Sequence, residues 1–341
     1  MILAGGMSTR LYPLTKEVPK PLVPIAGEPN SGHLMRYLRS FGITDVAINV
    51  HYLADLIVDT FGDGSAYGVN LTYLHEKKLM GSAGGVKQME EFLRGETFVV
   101  IGCDAITDMR LDELVAFHKE RKAIASIGLV YEEDVSQYGV VIVDAQGHIL
   151  DFQEKPPRGT ERSKLVNTGL YVFEPEIFDR IPAGEFWDFG NNVFPELQRD
   201  KAAFYGREMT GAYWRDIGTI NEYRQATREV LEGRVKLLGD ARATGLPSDT
   251  VLGSRVKIEG NVRIGSRVVI GDDVTIIGPC VIGDRVRIGN GAVVESSIVW
   301  DDTSLGAQAR IIDSIVGQRY RIAPGVALEG SVVANEPEAV R

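Results

Sequence analysis

From Leu252 onward an aliphatic residue returns every six positions, at Leu252, Ile258, Ile264, Ile270, Ile276, Ile282, Ile288 and Val294. A second register, Val256, Val262, Val268, Val274, Cys280, Val286, Ala292 and Ile298, keeps the same period with apolar residues of modest size. Glycine follows the first register at 253, 265, 271, 283 and 289. The phase then slips by one residue to Val299, Leu305 and Ile311, and slips again to Val316, Ile322 and Leu328. A helix repeats its faces about every 3.6 residues and a strand about every two, so neither sustains this pattern. A coil of short strands does: each hexapeptide forms one flat side of a parallel β-helix, with the aliphatic residue pointing inward.

The repeat predicts a left-handed parallel β-helix over residues 251–335, an exception to the usual right-handed crossover. Many hexapeptide β-helices are acyltransferases that use a catalytic histidine. The histidines here, His33, His51, His75, His118 and His148, all precede the repeat. The repeat therefore reads as a packing and assembly module, whose open ends and flat faces suit a homo-oligomer.

Residues 1–233 obey another rule, in which short apolar runs alternate with amphipathic stretches. DVAINV, FVVIGCD, IASIGLV and LYVFE read as strands, and HLMRYLRSF, AGGVKQMEEFL and LDELVAFHKERK as helices between them. This order predicts an α/β fold, a Rossmann-like and mostly parallel sheet with helices on both faces. YGVVIVDAQGHILDFQEKP reads as an inserted antiparallel hairpin, and INEYRQATREVLEG as a last helix ending at Gly233. A linker over 234–250, with Gly239, Gly245 and Pro247, separates the two patterns. The formal charge of −10 argues against a nucleic-acid partner bound through a basic field. No apolar run is long enough to span a membrane, and the start, MILAGGMSTR, lacks the form of a signal peptide. The two cysteines, Cys103 and Cys280, sit far apart in apolar runs, so a reducing cytoplasm is the expected setting.

Chemistry concentrates first in the opening segment, where a short apolar strand at 2–4 runs into GGMSTRLYPLTKEVPKPLVPI. Gly5 and Gly6 let the backbone approach a ligand, and consecutive N–H groups of such a turn bind phosphate oxygens. Arg10 supplies a charged fork for a polyphosphate, and Lys20, between two prolines, supplies a point charge. The segment is neither a Walker A loop nor a dinucleotide fingerprint, since it lacks the GK[ST] end of one and the third glycine of the other. Asp104 follows the strand FVVIGC, at the carboxyl edge where open α/β sheets bind ligands.

These motifs, continued in order by MGSAGGVK, GCDAITD, YGVV, EKP, NTGLYVF and WRDIG, resemble the signature of sugar nucleotidyltransferases (nucleotide-sugar pyrophosphorylases) over nearly all of residues 1–233. The nearest likeness is to mannose-1-phosphate guanylyltransferases, many of whose relatives carry a hexapeptide tail. The resemblance implies transfer of a nucleotidyl group from a nucleoside triphosphate to a sugar 1-phosphate. It implies that Asp104 and Asp216 hold Mg²⁺, and that Arg10, Lys20 and Lys155 stabilise charge in catalysis. It places Leu3, Ala4, Gly5, Gly6, Ser8, Thr9, Gly81, Ser82 and Ala83 around the nucleotide. Gly139, Glu154, Lys155, Asn167 and Thr168 would meet the sugar phosphate.

The small residues of MGSAGGVK leave room for a flat base, with Ser82 as cap of the helix they open. Thymidylyl- and uridylyltransferases of this fold often carry a glutamine there, and none lies between Met80 and Lys87, which favours guanine. Three features depart from the pattern. Ser8 and Cys103 stand where relatives have glycine, and the first strand lacks a few leading apolar residues, which puts the expected start upstream. The expected reaction is GTP plus mannose 1-phosphate. A glucose-1-phosphate nucleotidyltransferase (thymidylyl, uridylyl or adenylyl) and a non-catalytic regulatory homologue that binds a nucleotide sugar are the alternatives.

Overall fold

The computed structural model describes residues 1–238 and 246–336, so the linker glycines Gly239 and Gly245 lie outside the described residues. Packing divides the chain into two compact units. One comprises Met1–Gly6 and Leu34–Asp216, the other Met7–His33 and the chain from Ile217 onward.

The first unit is built on a nine-stranded sheet. Four parallel strands lie in the order Asn70–His75, Asp45–Val50, Ile2–Leu3 and Phe98–Gly102. Past Asp45, every residue of DVAINV is buried, as befits a strand covered on both faces. Next comes Leu165–Phe173, antiparallel to both Phe98–Gly102 and Ala125–Tyr131. The sheet keeps the expected parallel, Rossmann-like core, and this reversed strand makes it mixed. After Ala125–Tyr131 the chain makes the hairpin of Gly139–Val143 and Ile149–Glu154 instead of a crossover helix, and without a crossover it returns antiparallel. Phe204–Glu208 completes the far edge, parallel to Ala125–Tyr131. The stretch expected as one helix breaks at Met89 (φ −101°) into Gly81–Gln88 and Glu90–Leu93. An aromatic core closes one face, with Phe173 and Phe189 at 4.9 Å and Phe194 and Phe204 at 5.0 Å between ring centroids.

In the second unit the hexapeptides form three five-stranded parallel sheets, the three sides of a β-helix. Ile258, Ile276 and Val294 stack in register, and Ile311 and Leu328 continue the same ladder beyond the slips. Each slip shortens one corner, first between Val294 and Val299, then between Ile311 and Val316. There side chains take over bonds that backbone carbonyls make elsewhere: Ser314 N donates to Ser297 Oγ (3.0 Å) and Ser331 N to Ser314 Oγ (3.1 Å). Gly289 is needed for close stacking, since a Cβ there would lie 2.5 Å from Ala307 N of the next coil. The helix Ile220–Leu231 is capped by Thr219, whose hydroxyl accepts from Glu222 N (3.3 Å), and closes at Gly233 (φ 75°) as expected.

One buried titratable group of the first unit faces neither solvent nor the site described below. His118 is fully buried, its Nδ1 2.9 Å from Ser126 Oγ and its Nε2 3.1 Å from Glu174 Oε1, which also accepts from Thr97. Burial lowers its pKa below the ordinary 6.5; the Glu174 carboxylate opposes this and Lys119 adds to it. Below that ordinary value the unfolded chain binds a proton that the folded one resists, so this contribution to stability is lost as pH falls. We expect denaturant midpoints to drop between about pH 7 and pH 5, and His118→Gln to flatten that slope. An unchanged slope in the variant would show that His118 does not set it.

Candidate active site

Strand pairing brings the positions of two aspartates close together. Asp104 sits between Phe98–Gly102 and the short strand Ala105–Thr107, which pairs antiparallel with Trp214–Asp216, opposing Asp216 to Ala105. The two aspartates thus lie at neighbouring positions of adjacent strands, both half-buried, although they are far apart in sequence. Gly102 leaves room for the Asp104 carboxylate in this position: a Cβ on it would come 2.5 Å from Asp104 Oδ1. Trp214 anchors the second strand, donating from Nε1 to Thr168 O (3.0 Å) and meeting the Tyr138 ring edge-on at 5.4 Å.

Beside them lies the NTG segment at the start of Leu165–Phe173. Asn167 Oδ1 accepts from Gly169 N (3.0 Å), and its Nδ2 donates to the Tyr171 hydroxyl (3.1 Å). That hydroxyl feels the charges of Asp104 and Glu154, and burial together with those charges pushes its pKa up to about 12. Glu154 ends its strand opposite Gly139, where a Cβ would lie 3.3 Å from Glu154 Oε2. Lys155 follows in the left-handed region (φ 42°), its N–H donating to Tyr138 O (3.1 Å) and its ammonium 3.4 Å from Glu154 Oε1. Both side chains are exposed. A lysine held in this conformation carries a cost of about 1–3 kcal/mol, one that Lys122, Lys201 and several β-helix corner residues share. Thr168 turns away, its hydroxyl donating to Gly128 O (2.7 Å) inside the sheet.

On the other side of Phe98–Gly102, the turn Ala4–Gly6 leaves the centre of the sheet. Ala4 N donates to Asn49 Oδ1 (2.8 Å), and Asn49 Nδ2 donates to the buried carboxylate of Glu76 (2.6 Å). Glu76 also accepts from Met80 N (3.2 Å). Gly5 fits against this pair, for a Cβ would lie 3.0 Å from both Asn49 Nδ2 and Glu76 Oε2. The glycines of MGSAGG make room for main chain. A Cβ on Gly81 (φ 79°) would meet Trp187 O at 2.5 Å, and one on Gly84 would meet Glu185 O at 2.9 Å. Ala83 N and Gly84 N both donate to Trp187 O (2.9 Å). Ser82 lies inside the helix rather than capping it. The cap comes from Asp188, which accepts from Ser82 N (2.9 Å) and from its hydroxyl (3.1 Å).

The remaining candidate residues belong to the second unit. Ser8 adopts the left-handed region (φ 52°) and precedes the turn Thr9–Leu11, with Thr15 Oγ1 donating to Ser8 O (2.8 Å). This explains why a glycine would be at ease there. Thr9 and Arg10 are exposed, whereas Lys20 opens the turn Lys20–Leu22 and is only 7% exposed.

The nucleotidyl transferase family profile matches residues 1–233, and that of the GMPPB C-terminal domain matches 248–340. The chain belongs to the nucleotidyl transferase family. It is 39% identical to a UTP–glucose-1-phosphate uridylyltransferase of Synechocystis over 93% of this chain and 86% of that enzyme. It is 34% identical to a mannose-1-phosphate guanylyltransferase of Mycobacterium tuberculosis over 68% of this chain and 64% of that one. Among solved structures, HddC from Yersinia pseudotuberculosis in complex with GMP-PN superposes with a TM-score of 0.59 at 26% identity, covering 67% of this chain and 97% of that one.

Tyr171, Asn49, Glu76 and Asp188 of this nucleotidyltransferase were not among the residues its sequence singled out. Tyr171 reads as one more strand residue, and the other three act through partners distant in sequence. Asn49→Ala should lower unfolding stability by about 2–3 kcal/mol, because it leaves the buried Glu76 carboxylate short of a donor. Denaturant titration checks this, and a loss under about 0.5 kcal/mol would show that Glu76 finds another donor.

Proposed function

We propose that this sugar-phosphate nucleotidyltransferase joins GTP and mannose 1-phosphate, giving GDP-mannose and pyrophosphate. An oxygen of the sugar phosphate attacks the α-phosphorus, the bond from that phosphorus to the β-phosphate oxygen breaks, and pyrophosphate leaves. No side chain need become covalently attached. In this reading Lys155 meets the sugar phosphate, Glu154 and Asn167 accept and donate to sugar hydroxyls, and Gly139 lets the backbone approach. Arg10 and Lys20 meet the triphosphate, together with the turn of Leu3, Ala4, Gly5 and Gly6 and with Ser8 and Thr9. Gly81, Ser82 and Ala83 face the base. Thr168 supports the site from behind, its hydroxyl donating to Gly128 O and its carbonyl accepting from Trp214 Nε1.

The observation that supports this reading is the pairing of Trp214–Asp216 with Ala105–Thr107, which opposes Asp216 to Ala105, the residue after Asp104, while the charges of Asp104 and Glu154 both act on Tyr171. The donor set fits Mg²⁺, which takes few protein oxygens and fills its shell with phosphate and water. When bound by Asp104 and Asp216, Mg²⁺ would neutralise charge on the phosphates. The protein's own part is to orient the two substrates and to hold positive charge near the reacting phosphates.

Guanine is supported by the absence of glutamine from Met80 to Lys87 and by the mannose-1-phosphate guanylyltransferases among the relatives. A second reading, UTP with glucose 1-phosphate, is favoured by the 39% identity to the uridylyltransferase over 93% of the chain. We further propose a homo-oligomer built through the β-helix and a cytoplasmic setting. Both cysteines are unbridged and buried, and no described helix is long and apolar enough to cross a membrane.

A pyrophosphate-release screen of GTP, UTP, ATP and dTTP against mannose and glucose 1-phosphates tests the pair. GTP with mannose 1-phosphate should give the highest kcat/KM, and preference for UTP with glucose 1-phosphate would establish the second reading. Binding of a nucleotide sugar without any turnover would mark a regulatory homologue. Asp104→Asn and Asp216→Asn should each lower turnover by about two orders of magnitude or more with the fold intact. Near-normal rates at saturating Mg²⁺ would reject the metal assignment. Lys155→Ala should raise the sugar-phosphate KM about ten- to hundredfold and leave that of the nucleotide nearly unchanged. Light scattering of the intact chain tests the oligomer, which a monomer would rule out.

A further inference from the structure

The segment Met7–His33, which carries Arg10 and Lys20, packs in one unit with the β-helix. Its attachment is specific. Tyr223, fully buried on the helix Ile220–Leu231, donates from its hydroxyl to Pro24 O (2.8 Å). The same hydroxyl accepts from Trp300 Nε1 (2.8 Å), and the two rings meet edge-to-face at 6.2 Å. Trp300 is 3% exposed and follows the strand Ile298–Val299, where the β-helix first shortens its corner. Pro24 lies just beyond the turn Lys20–Leu22, which is closed by Leu22 N donating to Pro19 O (2.8 Å) and Val23 N to Lys20 O (3.1 Å). Two further ties run from the β-helix to this segment. Arg263 Nε donates to Ala26 O (3.3 Å), and an exposed Lys16–Glu336 pair at 2.5 Å adds little, being screened by water.

We propose that Trp300 and Tyr223 are positioning residues for the nucleoside triphosphate: through Pro24 O they hold the Lys20 turn in place, so that the β-helix acts in the reaction and not in assembly alone. This rests on the reading that Lys20 and Arg10 meet the triphosphate. The hydroxyl is the only bridge in this chain of bonds, because Pro24 offers a carbonyl and Trp300 an N–H, and only a group that both donates and accepts can join them. With Tyr223 fully buried and Trp300 nearly so, no bulk water replaces a lost bond, and the turn gains freedom instead. Lys20 needs such support because a buried ammonium tolerates few arrangements of its partners.

Tyr223→Phe and Trp300→Phe each delete one polar atom at nearly constant volume. Each should raise the KM for the preferred nucleotide about three- to tenfold, the range expected for one hydrogen bond, and leave the sugar-1-phosphate KM within about twofold. Amide hydrogen exchange at Leu22 and Val23 should quicken in both variants. Ile276→Val, which loosens the β-helix interior away from this chain of bonds, should lower the melting temperature without the KM split. Equal rises in both KM values, a split reproduced by Ile276→Val, or unchanged exchange at Leu22 and Val23 would each overturn the proposal. If the wild type turns over no nucleotide in the screen while exchange quickens in both variants, the attachment stands and the assignment of Lys20 to the triphosphate fails.

Discussion

The direction of one strand organises the first unit. Leu165–Phe173 runs antiparallel between Phe98–Gly102 and Ala125–Tyr131, so its amino end lies at the carboxyl edge of the parallel strands. Open α/β sheets bind ligands at that edge. Because the strand arrives there reversed, the NTG segment sits level with Asp104, and Asn167 can hold the Tyr171 hydroxyl within reach of the Asp104 and Glu154 charges. A parallel strand in the same slot would carry these residues to the opposite edge. The hairpin Gly139–Glu154 is what makes the reversal possible, since it replaces the crossover helix that a parallel return requires. It also supplies Glu154 and Lys155 at its own end.

The β-helix was the part of the fold most legible in the sequence, because its signal is a period and periods survive small insertions. Even the phase slips were readable, and the structure gives them a meaning. Val294, Ile311 and Leu328 stay stacked while a corner contracts. The sequence did not show what the contracted corner needs. Ser297 and Ser314 look like ordinary turn residues until their hydroxyls are seen accepting from the next coil. In the α/β part, the short apolar runs and the hairpin showed most of the strands, but Asn70–His75 and Phe204–Glu208, whose residues are largely polar or half-exposed, were not read. Nor was the direction of Leu165–Phe173, because local pattern carries no sign for strand direction.

The site was legible where a residue type is scarce or strained, and obscure where its role depends on a distant partner. Aspartates just past a strand end and a lysine before a proline stand out along the chain. Asn49 and Glu76 do not, although their bond ties the turn Ala4–Gly6 to the start of the Gly81–Gln88 helix. The small residues of MGSAGG were read as space for a base. In the structure the missing Cβ atoms of Gly81 and Gly84 also admit the main chain of 185–187, a second use of the same small residues that spacing alone does not show.

The compact units follow the same logic. The rhythm of the sequence changes near residue 233, whereas packing gathers Met7–His33 with the later chain. Sequence rhythm is a sum over many local choices of secondary structure, each worth a few tenths of a kcal/mol. Unit membership turns on a few long-range contacts, such as the Tyr223 hydroxyl on Pro24 O, between residues nearly two hundred positions apart. Such a contact leaves no periodic trace. The covalent junctions at Gly6–Met7 and Asp216–Ile217 fall inside the GGMSTRL and WRDIG motifs. Motifs that read as continuous signatures are therefore also where the chain passes from one packed unit to the other. The bonds that tie the Arg10 and Lys20 segment to the later chain, from Tyr223 to Pro24 O and from Arg263 to Ala26 O, lie within a single packed unit.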